Sequence, residues 1–191
     1  YIEEPLVNKG NTRNYGADIT LEHYMSHGFY GQVNGSLFKS EYRGLDKKWR
    51  SQLYDRGYMV KVLGGKEWML GKRKQNVFNV SVKYTLQGGL RHTPIDVDAM
   101  KANVAAGIIN DQPIYKEDEA MSLQFAPTSI LDLTVSYKIN RKKVSHTIAF
   151  EGVNILQHET PYAERFDFGT GQLRIDKSGI SLPNIFYRID F

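Results

Sequence analysis

Ile185-Phe186-Tyr187-Arg188-Ile189-Asp190-Phe191 closes the chain and decides how the rest of it is read. At the two-residue period of a strand, Ile185, Tyr187, Ile189 and Phe191 share one face, while Phe186, Arg188 and Asp190 share the other. Termini ordinarily fray and carry polar residues. Three large apolar residues and a final aromatic on one face suit a strand that meets lipid. The expectation is a membrane β-barrel whose upstream segments repeat the alternation and whose connections come in two lengths.

Working outward, the alternation recurs. Residues 1–14, with Pro5, Gly10 and several Asn, read as a loop. From Gly16 to about Tyr24, Ala17, Ile19 and Leu21 alternate with Asp18, Thr20 and Glu22. A second strand runs from Phe29 to about Tyr42, with Val33 and Leu37 opposite Gln32, Asn34 and Ser36. A third covers Tyr58 to Trp68. In the fourth, Phe78, Val80, Val82 and Tyr84 alternate with Asn79, Ser81, Lys83 and Thr85. The fifth sets Leu131, Leu133, Val135 and Tyr137 against Asp132, Thr134, Ser136 and Lys138, and the sixth sets His146, Ile148 and Phe150 against Thr147, Ala149 and Glu151. The connections at 25–28, 69–75 and 139–143 are short, and those at 43–57, 87–128 and 155–182 are long. Strict alternation of short and long is what an up-and-down outer-membrane barrel predicts and a Greek-key sandwich does not. Within the longest loop, Asp98 to Ile109 is a candidate short helix weakened by Gly107.

Composition sets looser bounds. No stretch nears eighteen consecutive apolar residues, so a spanning helix is excluded, whereas a barrel strand needs only about 9 to 11 residues, half of them polar. With 25 Lys and Arg against 21 Asp and Glu, the scattered charge does not argue for nucleic acid. Without cysteine there is no disulfide framework, thiol chemistry or thiolate metal site. Opening at Tyr1 without an export segment, the chain reads as processed or as a piece of something longer. Seven strands are short of the even number, eight at least, with which bacterial single-chain barrels close, so a fragment is expected.

Four stretches carry a resemblance to a known family: Asn14-Tyr15-Gly16-Ala17-Asp18; Gly35-Ser36-Leu37-Phe38-Lys39-Ser40-Glu41-Tyr42-Arg43-Gly44; Gly88-Gly89-Leu90-Arg91-His92-Thr93-Pro94-Ile95-Asp96; and Pro183 to Phe191. In their order and spacing the chain resembles the C-terminal barrel portion of TonB-dependent outer-membrane receptors of Gram-negative bacteria. The resemblance implies an all-β, antiparallel, up-and-down transmembrane barrel of about 22 strands closed around an upstream plug domain that is absent here. It implies active uptake of a scarce ligand, such as a metal chelate, vitamin or glycan, driven by the inner-membrane TonB complex through the missing upstream region. Ile185, Tyr187, Ile189 and Phe191 resemble the terminal signal read by the barrel-assembly machinery. The implied location is the outer membrane, in contact with its lipid, with the C-terminus periplasmic. The transported ligand, and whether a lipoprotein covers the outer loops, the sequence leaves open.

Chemistry-bearing residues point elsewhere than catalysis. His23 and His27 sit at a strand end and turn rather than on a helix, His158-Glu159 lacks a second histidine, and Gly64-Gly65-Lys66 lacks the rest of a phosphate loop, so no metal, cofactor or nucleotide site is expected. Without a Ser/His/Asp order or paired carboxylates, no enzymatic activity is predicted. Arg91, His92, Asp96 and Asp98, opening the longest loop, are the candidate entrance for a charged ligand. Lys72-Arg73-Lys74 and Arg141-Lys142-Lys143 read as solvated turns that could touch anionic groups. Val80→Arg should be costly and Ser81→Arg tolerated if Val80 faces mid-bilayer lipid. Two rivals are a complete small outer-membrane barrel with a structural or adhesion role, favoured if 161–176 adds a hairpin that gives an even closure, and a soluble all-β binding domain.

Overall fold

The backbone groups of each alternating segment need partners on neighbouring strands, and the chain supplies them in sequence order. The computed structural model describes residues 9–108 and 112–191. Its elements are β1 (Asn11–Ser26), β2 (Phe29–Arg43), β3 (Trp49–Ser51), β4 (Tyr58–Leu70), β5 (Asn76–Gln87), β6 (Arg91–His92), α1 (Val97–Ala105), β7 (Leu123–Gln124), β8 (Thr128–Asn140), β9 (Ser145–Val153), β10 (Thr160–Asp167), β11 (Gln172–Ser178) and β12 (Leu182–Asp190). One antiparallel sheet runs β1-β2-β4-β5-β8-β9-β12, and β3 pairs alongside on β2. Each long strand lies beside its neighbours in sequence, so this is an up-and-down meander. Among the described residues, β1 pairs only with β2, and β12 only with β9, leaving an open edge at each side.

Registers carry the alternation across the sheet. Leu21 faces Val33, Val33 faces Val62, Val62 faces Tyr84 and Tyr84 faces Leu131. A parallel row joins Trp68, Phe78, Tyr137, Ile148 and Tyr187. Among the described residues nothing covers this face: Ile19 is 62% exposed, Leu37 68% and Ile185 73%. The opposite face is polar and bonded to itself. Thr20 donates to Asn34 at 2.9 Å, Gln32 to Glu22 at 2.9 Å and Asn79 to the Tyr30 hydroxyl at 2.8 Å, while Lys83 meets Asp132 at 2.7 Å.

The meander puts all short turns at one end and all long loops at the other. The β1–β2 turn is His27-Gly28 alone, both at positive φ (53° and 82°), the mirror-image geometry that follows the strand twist. A side chain on Gly28 would place its Cβ 2.4 Å from the Glu67 carbonyl oxygen, so glycine is required there.

Three expectations change. Asn11 to Asn14 belong to β1 rather than to a loop: Arg13 bonds Glu41 at 2.6 Å and Asn14 accepts from Ser40 at 2.6 Å, so polar cross-strand pairs hold the ladder without apolar alternation. Residues 1–8 of the expected loop lie outside the described residues. The segment 155–182 is not irregular, because β10 and β11 form a hairpin, but that hairpin is a separate sheet and does not close the main one. Helix α1 spans Val97–Ala105 rather than Asp98 to Ile109; the chain leaves it at Gly107, at φ 72°, and Ile109 lies outside the described residues.

Candidate functional site

The buried apolar core of the molecule sits among the long loops, not between sheet faces. Ile95, Met100 and Phe166 are buried together, with Val97, Ile114 and Phe168 packed on them. Four of these six come from the 88–127 loop and two, Phe166 and Phe168, from the β10–β11 hairpin, so the longest loops are fastened to each other. Asp96 caps α1 by accepting from the Ala99 amide at 3.0 Å, which fixes Met100 toward this core.

The first long loop is tied in by Asp55, whose side chain is fully buried. Lys39 from β2 reaches one carboxylate oxygen at 2.8 Å, the Ser40 amide donates to the other at 2.9 Å, and the Arg91 Nε donates to the Asp55 carbonyl at 3.2 Å. Burial pushes the Asp55 carboxyl up, but the hydrogen bonds from Lys39, Ser51 and Ser40 outweigh it and hold the group below the usual carboxylate range. Gly88 and Gly89 let the second loop approach this close. A Cβ there would lie 1.9 Å from the Arg56 carbonyl oxygen and 2.1 Å from that of Phe125.

Between the three loops lies a cavity of about 330 Å³, lined among others by Arg91, His92, Tyr115, Phe125, Tyr162 and Glu164. His92 stacks on Phe125 with ring centroids 3.9 Å apart and planes 8° off parallel. Its Nε2 is 3.9 Å from Glu164, and its buried Nδ1 has no hydrogen-bond partner among the described residues. Burial pushes the imidazole pKa down, and the Glu164 charge opposes this only in part. The other Glu164 oxygen accepts from the Ile95 amide at 3.3 Å. Around this space stand one cation (Arg91), two carboxylates (Glu117 and Glu164), an imidazole and several aromatic rings, which suits a small molecule with a planar apolar body and a polar rim.

Of the four residues expected at an entrance, Arg91 and His92 line this cavity together. Asp96 serves as the helix cap, and Asp98 is exposed in the first turn of α1 away from the cavity. Asp55, Phe125 and Glu164 were not legible beforehand. Ile185, Tyr187 and Ile189 lie on the uncovered apolar face of β12, opposite Phe150, Ile148 and His146; Tyr187 also bonds the His146 Nδ1 at 2.7 Å, and Phe191 is 98% exposed. Neither protein-family models, nor curated proteins, nor solved structures give a match to this chain.

Proposed function

We propose that the chain is the C-terminal part of a transmembrane β-barrel of about 22 strands, in an outer-membrane receptor for TonB-dependent uptake of a scarce ligand. The observation that carries the reading is the uncovered, largely apolar face that runs through all seven long strands, opposite a self-bonded polar face. Water would not tolerate such a face on a settled monomer, and lipid would. Spacing agrees: the ten steps from Tyr58 to Trp68 span roughly 33 Å along β4 at about 3.3 Å each. At a strand tilt of about 45°, that is roughly 23 Å of membrane normal, close to the apolar band of about 25 Å in such barrels.

In this reading the short turns and the terminal strand face the periplasm and the three packed loops face outward. The polar face lines a lumen for water or a plug, and the open edges at β1 and β12 belong to further strands of the same barrel. The cavity at Arg91, His92 and Glu164 is where an arriving ligand meets the chain, and no covalent step is proposed for it. The test is the intact mass of the native protein from outer-membrane fractions, with peptide mapping upstream of Tyr1. A mass several times that of these 191 residues, with peptides from a plug, is expected. A mass equal to this chain alone would sink the receptor reading.

A further inference from the structure

The two basic turns are neighbours in space. β5 pairs with β8, and Asn140 clamps the turns that flank them: its side-chain amide donates to the Gln75 carbonyl at 2.7 Å, and its backbone N–H donates to the Asn76 side chain at 3.3 Å. Asn76 also donates to the Tyr137 hydroxyl at 3.2 Å. Lys72, Arg73 and Lys74 are thereby set beside Arg141, Lys142 and Lys143. Neither turn contains an acidic residue, all six are exposed, and none of the six forms an ion pair among the described residues. Several cations elsewhere are paired, among them Arg13 with Glu41, Lys39 with Asp55, Arg50 with Asp46 and Lys83 with Asp132. Solvation alone does not require six like charges on two clamped turns.

What stands just inside these turns identifies the charge they meet. Trp68, Phe78 and Tyr137 form a row on the apolar face, each four residues from the first or last cation of its turn. Four residues are about 13 Å along a strand, or roughly 9–11 Å of membrane normal at tilts of 35–45°. Aromatic rows mark the boundary between hydrocarbon and water, so the turns stand at or just beyond the headgroups, within reach of long side chains that bend back. One residue already does so: Lys66, in the apolar row of Phe29 and Val80, lays its ammonium 4.2 Å from the Phe29 ring centroid and 5.2 Å from that of Trp68.

We infer that Lys72, Arg73, Lys74, Arg141, Lys142 and Lys143 form one cationic platform that gathers the phosphates of anionic phospholipid headgroups at the short-turn rim. This rests on the membrane reading above and adds to it a lipid preference confined to two turns. A soluble acidic protein would need the charge without the aromatic row or the bent-back Lys66.

The test uses the full chain in mixed micelles of phosphatidylcholine with a minor share of phosphatidylglycerol, and reads the ratio of the two lipids that stay with the purified protein. Replacing all six cations by Gln should lower the enrichment of phosphatidylglycerol about fivefold or more, since one surface cation alone is worth about that factor. Each turn's triple replacement should give part of the loss, which guards against a folding defect in the six-fold variant. Lys47→Gln with Lys48→Gln, in a long loop, should leave the ratio unchanged, and about 1 M salt should abolish the preference. Retained lipid with the same ratio in the six-fold variant would overturn the platform and leave the membrane reading standing. A protein that keeps no lipid at all would overturn both. Retention of soluble polyglutamate by the platform without phosphatidylglycerol enrichment would give it to an acidic protein partner and overturn the lipid assignment.

Discussion

Asp55 and His92 show how single residues set the loop cluster. Asp55 has no exposure, yet Lys39, which answers it, is about one-third exposed, so water screens one side of the pair. Asp55→Ala removes the acceptor for the Lys39 ammonium and the Ser40 amide, and the cluster should lose about 3 kcal/mol, the low end for breaking a buried pair. Loss of hydrogen-exchange protection at the Ser40 amide would report it; unchanged protection there would refute the role. Because the carboxyl is held below its ordinary pKa, its stabilisation is complete above that ordinary value and disappears as pH falls through the lower one. His92 acts in a different window. Its pKa is depressed by burial, so unfolded loops take up a proton at a pH where the packed imidazole does not. Packing around His92 should therefore weaken as pH falls from the usual imidazole pKa toward the lower folded value. Exchange at the Ile95 amide, which donates to Glu164, should rise in that window in the native chain. His92→Phe, able to keep the stack on Phe125, should flatten the response.

At the scale of elements, the long strands were legible because their signal is local. Two-residue alternation in Phe78 to Thr85 requires no knowledge of the partner strand. The four extra residues at the start of β1 were not legible, since Asn11, Thr12, Arg13 and Asn14 have no alternation and are held by partners on β2. Register was also out of reach, and it changes one expectation. Val80 lies opposite Lys66, one row in from the Trp68–Phe78 row, so on the barrel reading proposed above it would sit near the boundary rather than at mid-band. Val82, opposite Gly64 and Leu133, takes the deeper position. Val82→Arg should cost about 2–4 kcal/mol of unfolding free energy in lipid, and Val80→Arg about 1 kcal/mol or less. Ser81→Arg, on the polar face, should be nearly neutral. Denaturant titration in vesicles would rank the three, and equal costs at residues 81 and 82 would count against lipid on that face.

For the whole molecule, the meander could be read from the chain but the loop cluster could not, because its contacts join distant residues: Asp55 to Arg91 across 36 positions, Ile95 to Glu164 across 69. No local pattern encodes such pairs. What the assembled molecule adds is a count of unmet surfaces. Among the described residues, one sheet face is apolar and uncovered, and the two edge strands β1 and β12 have a strand partner on one side only. These make separable demands. Detergent can cover the face but cannot hydrogen-bond the edges. The 191 residues alone should therefore form polydisperse assemblies in plain buffer, where face and edges both associate. In detergent they should form smaller oligomers joined edge to edge through β1 and β12, and, on the barrel reading, a longer protein carrying further strands should be monodisperse in the same detergent. Sedimentation velocity separates the cases. A stable, monodisperse monomer of the 191 residues in plain buffer would show that the apolar face has a soluble solution and would sink the barrel reading. Smaller oligomers in detergent that disperse when β12 carries Ile148-facing Tyr187→Pro would locate the association at that edge, since proline removes a backbone donor from the strand.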